Sequence, residues 1–254
     1  MHILVTNDDG VQAPGLLALA QEMRKLGRVT VVAPDHNWSA SGHVKTMERP
    51  LRVRETSLAD GSAAFMSDGA PSDCVALSLL GLIKEDIEIV VSGINPNANI
   101  GHDVTYSGTV TAAMEAVIGG IKGLAVSLHT PEQLKGQVDY STAAIVARRV
   151  AEKVMTDGLP EGVVLNINVP YLKENELKGY MVTRQGLRVY RDALDQRIDP
   201  RGRPYYWIGG EAPTALDEPG TDFGALTAGY VSITPLQLDL TNYKAMDVLK
   251  KWKF

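Results

Sequence analysis

The chain has 254 residues, 44% hydrophobic and 22% charged, with a net charge of −5, which is typical of a globular protein with one large or two smaller domains. The negative charge gives no broad nucleic-acid footprint, and no apolar run reaches the roughly 18 residues that span a membrane. The single Cys74 cannot form an internal disulfide, and no leader segment is evident, so we expect a reducing cytoplasm.

Strands alternate with helices through the first two thirds of the sequence. Short apolar or β-branched runs predict seven strands, at residues 2–6, 29–33, 51–54, 63–66, 87–91, 124–128 and 163–169. Apolar residues at helical spacing predict four helices, at residues 14–26, 71–83, 108–119 and 140–154, the first ended by Gly27 and the second begun by Pro71. The segments 35–45 and 95–105 are polar and predict loops. This alternation is typical of an α/β fold with a Rossmann-like, doubly wound, mostly parallel sheet in three α/β/α layers.

The pattern changes after Pro170, where prolines, glycines and aromatic residues become frequent. Strands are predicted at residues 180–183, 205–208 and 230–234, separated by loops. We therefore divide the chain into an α/β catalytic core, residues 1–170, and a β-rich extension, residues 171–254, part of which packs back on the core. Because open strand edges favour pairing with another chain, the extension is also predicted to mediate oligomerisation.

Two adjacent carboxylates, Asp8 and Asp9, directly follow the first strand and precede Gly10. The ends of parallel strands are where open α/β sheets place their chemistry. Neighbouring carboxylates repel each other unless a positive charge joins them, and hard divalent cations prefer oxygen ligands. A turn with a helix-capping Asp is the alternative, since Asp-Gly pairs mark turns. The pair alone leaves both interpretations open.

Further polar clusters lie at residues 37–43 and 92–95, each after a predicted strand. Because the carboxyl ends of parallel strands share one edge of a sheet, these clusters are expected to converge on the two carboxylates. Ser39 and Asn95 would then add neutral oxygens, a donor set that suits Mg²⁺ or Mn²⁺ better than Zn²⁺. Taken singly, Ser39 also reads as a loop hydroxyl and Asn95 as a turn residue before Pro96.

The last cluster, residues 106–109, begins a predicted helix. Ser107 is a candidate helix cap, and capping alone would explain it. The free N–H groups of Gly108 and Thr109 would form an anion site at the helix N-terminus. A metal beside an anion site predicts phosphate chemistry.

Other common phosphate and cofactor sites are disfavoured. A dinucleotide fold needs Gly-x-Gly-x-x-Gly at residues 8–13, where two carboxylates would repel a pyrophosphate, and the chain has no P-loop motif. We interpret His43 and His102 as solvated loop histidines and Cys74 as a small buried apolar side chain.

A series of motifs runs through essentially the whole chain in order. They are VTNDDG at 5–10, APD at 33–35, Ser39 with SGH at 41–43, DGAP at 68–71, DCV at 73–75, SGIN at 92–95, YSGTV at 106–110, NINVP at 166–170, TRQG at 183–186, TD at 221–222 and GYVSITPL at 229–236. This series resembles the SurE survival-protein family. Two positions depart from that pattern, Asn97 in place of Gly and His102 in place of Asp.

The resemblance implies a divalent-metal-dependent phosphatase that hydrolyses nucleoside 5′- and 3′-monophosphates and, in some members, short polyphosphate. It implies that Asp8, Asp9, Ser39 and Asn95 are metal ligands, and we expect them to hold one Mg²⁺ or Mn²⁺ ion per subunit. We hypothesise that Asn95, Ser107, Gly108 and Thr109 bind the phosphate. Asp8 and Asp9 are the candidate catalytic residues, and whether either is base, nucleophile or only ligand stays open. The implied fold is a Rossmann-like core whose C-terminal β extension swaps between subunits of a homodimer or homotetramer.

Two other classes of protein are weaker hypotheses. A metal-binding phospho-acceptor signalling module shares the acidic pocket, but such modules are about half this length. A structural or chaperone-like oligomer with a vestigial site conflicts with four intact ligand positions. We expect nucleoside monophosphates as partners, with neither membrane attachment nor a stable nucleic-acid complex.

Overall fold

In the computed structural model, which describes residues 1–253 and only the backbone of residues 211–213, two sheets are present. The strands are β1 (His2–Thr6), β2 (Arg28–Pro34), β3 (Val53–Ser57), β4 (Ala63–Ser67), β5 (Ile89–Asn95), β6 (Lys122–His129), β7 (Val163–Pro170), β8 (Tyr180–Val182), β9 (Arg188–Ile198), β10 (Pro204–Ala215) and β11 (Val231–Gln237). Nine of them form one sheet in the order β3-β4-β2-β1-β5-β6-β7-β11-β8, and β9 and β10 form a separate antiparallel hairpin. The large sheet is parallel except where β3 joins β4 and β11 joins β7.

The helices are α1 (Pro14–Met23), α2 (Pro71–Leu77), α3 (Gly108–Ile118), α4 (Ser141–Asp157), α5 (Asp222–Thr227) and α6 (Tyr243–Leu249). Helices α1 to α4 cover both faces of the large sheet, and α6 has no buried residue. Apolar side chains of α1 and α4 share one core cluster with the strand residues that face them, and those of α2 and α3 share the cluster on the other face. This arrangement confirms the predicted three-layer α/β/α fold. Among the described helices, none has the length and apolarity needed to cross a membrane.

The strand order reverses at β1, which has β2 on one side and β5 on the other. Such a switch point opens a crevice beyond the carboxyl ends of the two strands. Thr6 pairs with Ser92 in the β1–β5 register, so Asp9 and Asn95, each three residues further on, emerge at the same edge.

Two helices end earlier than predicted. Helix α1 stops at Met23, and Gly27 is required by close approach rather than as a helix cap, because a Cβ there would lie 2.4 Å from the carbonyl oxygen of Met1. Helix α2 stops at Leu77 and continues as a π-helical segment, Ser78–Leu82, in which Gly81 has a φ of 117°. The positive φ suits glycine, and it ends the regular helix there.

Some strand and loop boundaries also differ from the prediction. Strand β5 starts at Ile89 and runs to Asn95. Residues 92–95, which were expected to follow the strand, are therefore its last four residues. Strand β3 is shifted to Val53–Ser57. The predicted loop 95–105 contains a 3₁₀ helix, Gly101–Thr105, whose first N–H donates to the buried Asp222 carboxylate at 2.8 Å. Asp222 lies 121 residues from Gly101 in sequence, so local sequence patterns could not predict this helix.

The C-terminal third is less uniformly β than predicted. Helices α5 and α6 and strand β9 were not expected, and the strand predicted at 205–208 is the longer β10. Charged residues fall on both faces of β9, which is mostly exposed, so the apolar alternation that reveals a half-buried strand is missing. Strands β8 and β11 instead extend the large sheet.

Candidate active site

Asp8 is buried at the end of β1, where the first turn of α3 packs directly against it. Asp8 is only 4% exposed, and the Thr109 hydroxyl donates a hydrogen bond to its Oδ1 at 2.5 Å. A Cβ on Gly108 would lie 2.8 Å from the Asp8 Cβ. Glycine at this position therefore lets the helix N-terminus approach the carboxylate.

The turn after the two carboxylates is shaped by Gly10, whose φ is +100°. The Asn7 side chain donates to the Gly10 carbonyl at 3.0 Å, and Val11 N–H donates to the Pro34 carbonyl at 2.8 Å. These bonds fix the turn against the end of β2. The turn interpretation is thus correct as local geometry, and it does not compete with a role for the carboxylates.

The electrostatics of the pair suit a bound cation. Burial raises the pKa of Asp8, and hydrogen bonds from Thr109 offset this only in part. Burial and the charge of Asp8 raise the pKa of Asp9 to about 6. Within the described residues, no positive side chain lowers either pKa. A buried carboxylate beside a partly buried one is costly without a counter-ion, and a divalent cation would relieve that cost.

Ser39 lies on an exposed loop that is hydrogen-bonded to the backbone of Asp8 and to the side chain of Asp9. Trp38 N–H donates to the backbone carbonyl of Asp8 at 2.8 Å. The Asn37 side chain donates to Asp9 Oδ1 at 3.3 Å and accepts from Ser39 N–H at 2.7 Å. The loop therefore brings the Ser39 backbone near Asp9 through Asn37, and the ligand role of the Ser39 side chain stays a prediction.

The far end of this loop is clamped to α3 by a buried acid. Glu115 is 6% exposed, and its two carboxylate oxygens lie 2.9 Å from His43 Nε2 and 3.0 Å from Lys45 Nζ. The Thr111 hydroxyl also donates to the Gly42 carbonyl at 3.0 Å. His43 and His102 are both exposed, as expected, and the structure adds that the ring of His43 pairs with Glu115.

Asn95 is the last residue of β5 and is partly exposed at the crevice. Its side-chain N–H₂ donates to the carbonyl of Asn97 at 2.5 Å. This bond orients the amide so that Oδ1, the atom suited to a hard cation, is not used by that contact. Within residues 1–253, no cluster of three His, Cys, Asp or Glu side chains suggests a metal site, so the candidate set depends on these neutral oxygens.

Three of the phosphate-binding candidates, Ser107, Gly108 and Thr109, form the N-terminus of α3, and Asn95 lies at the end of β5. Ser107 caps the helix, its Oγ accepting from Val110 N–H at 3.1 Å. The N–H groups of the first turn have no partner within the helix and point out of its end. Because the hydroxyl of Thr109 is already bound to Asp8, this residue couples the anion site to the carboxylates as well as lining it.

Three contributors to the site escaped the sequence analysis. Asn37 sits within a cluster that was recognised, and its spacing to Ser39 is that of an Asx turn, which is a usable signal. The pairing of His43 with Glu115 spans 72 residues of sequence and gives no local sequence signal. Tyr140, whose pKa burial and the Asp9 charge raise to about 12, lies near Asp9 without any motif of its own.

Comparison with known proteins shows the family to which the chain belongs. The model of the family described as survival protein SurE matches residues 3–192. The chain belongs to the SurE family. SurE relatives named 5′-nucleotidase SurE include those of Chloroflexus aggregans, 50% identical over 254 residues with 100% of both chains covered, and Herpetosiphon aurantiacus, 54% identical over 242 residues with 95% of this chain and 94% of the relative covered.

A solved SurE structure shares the fold. The crystal structure of the SurE protein from Aquifex aeolicus matches with a TM-score of 0.82 and 42% sequence identity, covering 98% of each chain. The resemblance read from the motifs is therefore confirmed. The fold class, a mostly parallel α/β sheet with a separate antiparallel hairpin, is confirmed with it.

Proposed function

We propose that the protein is a divalent-metal-dependent phosphomonoesterase that hydrolyses nucleoside 5′-monophosphates to nucleoside and phosphate. One observation carries the proposal: Asp8, buried and packed against a capped helix N-terminus at the switch point of the sheet, and the partly buried Asp9 beside it form an uncompensated pair. An anionic site for a cation lies beside a positive site for an anion, which suits a phosphate ester. The names of the full-length relatives support the nucleotidase activity.

The candidate metal ligands are Asp8, Asp9, Ser39 and Asn95, which hold one Mg²⁺ or Mn²⁺ ion per subunit. Such an ion supplies charge neutralisation on the phosphate and activation of water. Their oxygen-only chemistry suits either ion and disfavours softer metals.

The protein residues position the phosphate and the two candidate carboxylates. The first-turn N–H groups of α3, with Ser107 as its cap, bind phosphate oxygens through hydrogen bonds and the helix dipole. Thr109 fixes Asp8 in one rotamer, and Asn37 donates to Asp9. Because phosphoryl transfer depends mainly on positioning and electrostatics, this prearrangement accounts for most of the catalytic effect. Nucleoside 3′-monophosphates and short polyphosphate present the same terminal phosphate and are further substrates.

Phosphate release from a panel of nucleoside 5′- and 3′-monophosphates tests the activity. The enzyme is stripped with a chelator and assayed before and after Mg²⁺ or Mn²⁺ is added back. We expect turnover only with metal, and loss of at least a hundredfold in Asp8→Asn, since removing a metal ligand costs several kcal/mol of barrier.

Three results would contradict the proposal. They are no release from any nucleotide with metal present, equal release with and without metal, and undiminished metal-dependent turnover by Asp8→Asn. A stable phosphate on Asp8 or Asp9 without repeated turnover would favour a phospho-acceptor signalling module instead.

The same proposal includes a homodimer or homotetramer joined through the β9–β10 hairpin. Large apolar side chains are exposed along it, with Leu194 at 69%, Trp207 at 61% and Ile208 at 85%. A two-stranded hairpin is marginal without a partner surface, and an exposed apolar patch of this kind marks an interface. Light scattering should give a multiple of 27.4 kDa for the native chain and a smaller species for Leu194→Asp/Ile208→Asp. A monomeric native chain would contradict the assembly.

A reducing cytoplasm suits the protein, because its single cysteine is a buried free thiol. Fractionation of cells expressing the untagged chain tests this.

A further inference from the structure

The loop that joins Asn95 to the end of α3 at Ser107 contains a buried polar residue, Asn99. The residues next to Asn95 in this loop are partly or fully exposed, whereas Asn99 is only 7% exposed. A buried asparagine needs hydrogen-bond partners for its backbone and its side chain. The partners of Asn99 come from β6 and β7, in the middle of the large sheet.

Three fully buried side chains of these strands hold Asn99. Asn168 Oδ1 accepts a hydrogen bond from the Asn99 N–H at 2.8 Å, and Asn168 Nδ2 donates to the Asn99 carbonyl at 3.0 Å. Asn166 Nδ2 donates to the same carbonyl at 2.8 Å. The Asn99 side chain in turn donates to Ser127 Oγ at 2.8 Å. Both the backbone and the side chain of Asn99 are therefore fixed against the sheet.

The chemistry of the two strand asparagines matches this task. The amide of Asn168 carries a donor and an acceptor, which is what the carbonyl and the N–H of one extended residue require. The buried Oδ1 of Asn166 finds no hydrogen-bond partner within residues 1–253. Because an unpaired buried acceptor lowers stability, an apolar side chain would serve the core better at this position. We therefore attribute Asn166 to the placement of the loop.

The anchored residue is close to Asn95 in space. Asn95 and Ser127 are partners in the β5–β6 register, and Ser127 also accepts the hydrogen bond from the Asn99 side chain. Segment 95–99 is therefore a turn whose two ends both lie beside Ser127. Within this turn, the Asn97 carbonyl accepts a hydrogen bond from the Asn95 side-chain amide. The orientation of the Asn95 amide thus depends on a carbonyl that the anchor at Asn99 holds in place.

We propose that Asn168, with Asn166 and Ser127, positions Asn95 as a metal ligand by anchoring the turn at Asn99. The inference rests on the proposed function, in which Asn95 Oδ1 binds the divalent ion. An amide has one end that can bind a cation and one that cannot, so a fixed orientation raises its affinity as a ligand. The three strand residues are positioning residues that act through Asn95, as the outer partners of metal ligands do.

A double-mutant cycle on Mn²⁺ affinity, measured by EPR, separates action through Asn95 from a general loss of stability. Asn168→Ala should weaken Mn²⁺ binding about fivefold, which is the effect of one net hydrogen bond. Asn95→Ala should weaken it roughly tenfold or more, because a ligand is lost. In the double variant Asn95→Ala/Asn168→Ala, the loss should equal that of Asn95→Ala alone, since the positioning residue then has nothing to position.

Two further variants keep the test independent of folding defects. Ser127→Ala removes only the hydrogen bond to the Asn99 side chain, should weaken Mn²⁺ binding about twofold to threefold, and serves if Asn168→Ala does not fold. Thr183→Val is the matched control, because it removes two buried hydroxyl contacts to β11, at 2.8 and 2.7 Å, in the same sheet. It should lower Tm and leave Mn²⁺ affinity unchanged.

Hydrogen exchange reports on the anchor in the metal-free protein, where the Asn99 N–H should exchange about tenfold faster in Asn168→Ala than in the native chain. An unchanged exchange rate overturns the inference. So does native Mn²⁺ affinity in Asn168→Ala, or an equal loss from Asn168→Ala with and without Asn95. A native protein that binds no Mn²⁺ and releases no phosphate from nucleotides refutes the proposed function and the inference together, so the two failures are distinguishable.

Discussion

The Thr109 hydroxyl donates a 2.5 Å hydrogen bond to Asp8 Oδ1, joining the first turn of α3 to the end of β1 across 101 residues of sequence. The bond orients a carboxylate whose burial alone would favour its protonated form. It thereby links the proposed phosphate site to the proposed metal site.

Loss of this bond should impair the carboxylate. Thr109→Val keeps the side-chain shape but removes the donor, so the pKa of Asp8 should rise further and its rotamer should loosen. A hydrogen bond to a charged group is worth about 1.5–3 kcal/mol, so kcat/KM should fall roughly tenfold to a hundredfold and the acidic limb of its pH profile should move to higher pH. Thr109→Ser, which retains the hydroxyl, should stay close to native. Equal pH profiles for the Val and Ser variants would refute this role.

A methyl group at Gly108 should disturb the same contact from the backbone side. The added Cβ would lie 2.8 Å from the Asp8 Cβ, so α3 or the carboxylate must move. Activity should fall at least tenfold in Gly108→Ala. Overpacking should also lower the free energy of unfolding by about 1–3 kcal/mol, which appears as a modest drop in Tm. Gly209→Ala, where the nearest atom is 3.8 Å away, is the matched control and should change neither quantity. Native activity in Gly108→Ala would mean that the helix position does not matter.

The raised pKa of Asp9 predicts how stability depends on pH in the metal-free protein. The folded pKa of about 6 lies above the unfolded value near 3.8, so the folded state holds the proton more tightly. The contribution of Asp9 to the free energy of unfolding is therefore fully present below pH 3.8 and is lost as the pH rises through 6.

Asp9→Asn removes that dependence. With chelator present, its stability relative to the native chain should increase between pH 4 and pH 7 by about 1–2 kcal/mol after allowance for solvent screening. Urea denaturation at each pH measures this difference. Added Mn²⁺ should reverse the order near pH 7, because the native carboxylate is needed to bind it. A difference that is independent of pH would show that Asp9 titrates normally.

The Glu115 clamp should support metal binding at a distance. Glu115→Gln weakens the contacts to His43 and Lys45, so the loop that carries Ser39 should become more mobile. Mn²⁺ affinity measured by EPR should fall several-fold, with a small change in Tm. Glu85→Gln breaks a surface ion pair with Arg28 and is the matched control. Unchanged Mn²⁺ affinity in Glu115→Gln would show that the Glu115 contacts do not support metal binding.

Local patterns predicted the parts of the fold that are fully buried. The five residues of β1 are buried throughout, and a continuous apolar run reports such a strand directly. The convergence of residues 8–9 with residue 95 followed from the rule that parallel strands share a carboxyl edge. In contrast, β9 is exposed on both faces and carries no periodic signal, so it was missed.

Long-range polar contacts were outside the reach of the sequence. Glu115 lies in the middle of a helix and reads as an ordinary solvated charge until the loop with His43 folds over it. Asp222 likewise binds two segments, at Gly101 and Gly186, that no spacing rule connects to it. Such contacts depend on the tertiary arrangement, which local propensity does not encode.

Anomalous diffraction from crystals grown with Mn²⁺ shows directly whether Asp8, Asp9, Ser39 and Asn95 hold one divalent ion. We expect a single anomalous peak per subunit within bonding distance of oxygens from these four side chains, and no such peak in Asp8→Asn crystals. A peak elsewhere, or none at this position in the native protein at saturating Mn²⁺, would contradict it.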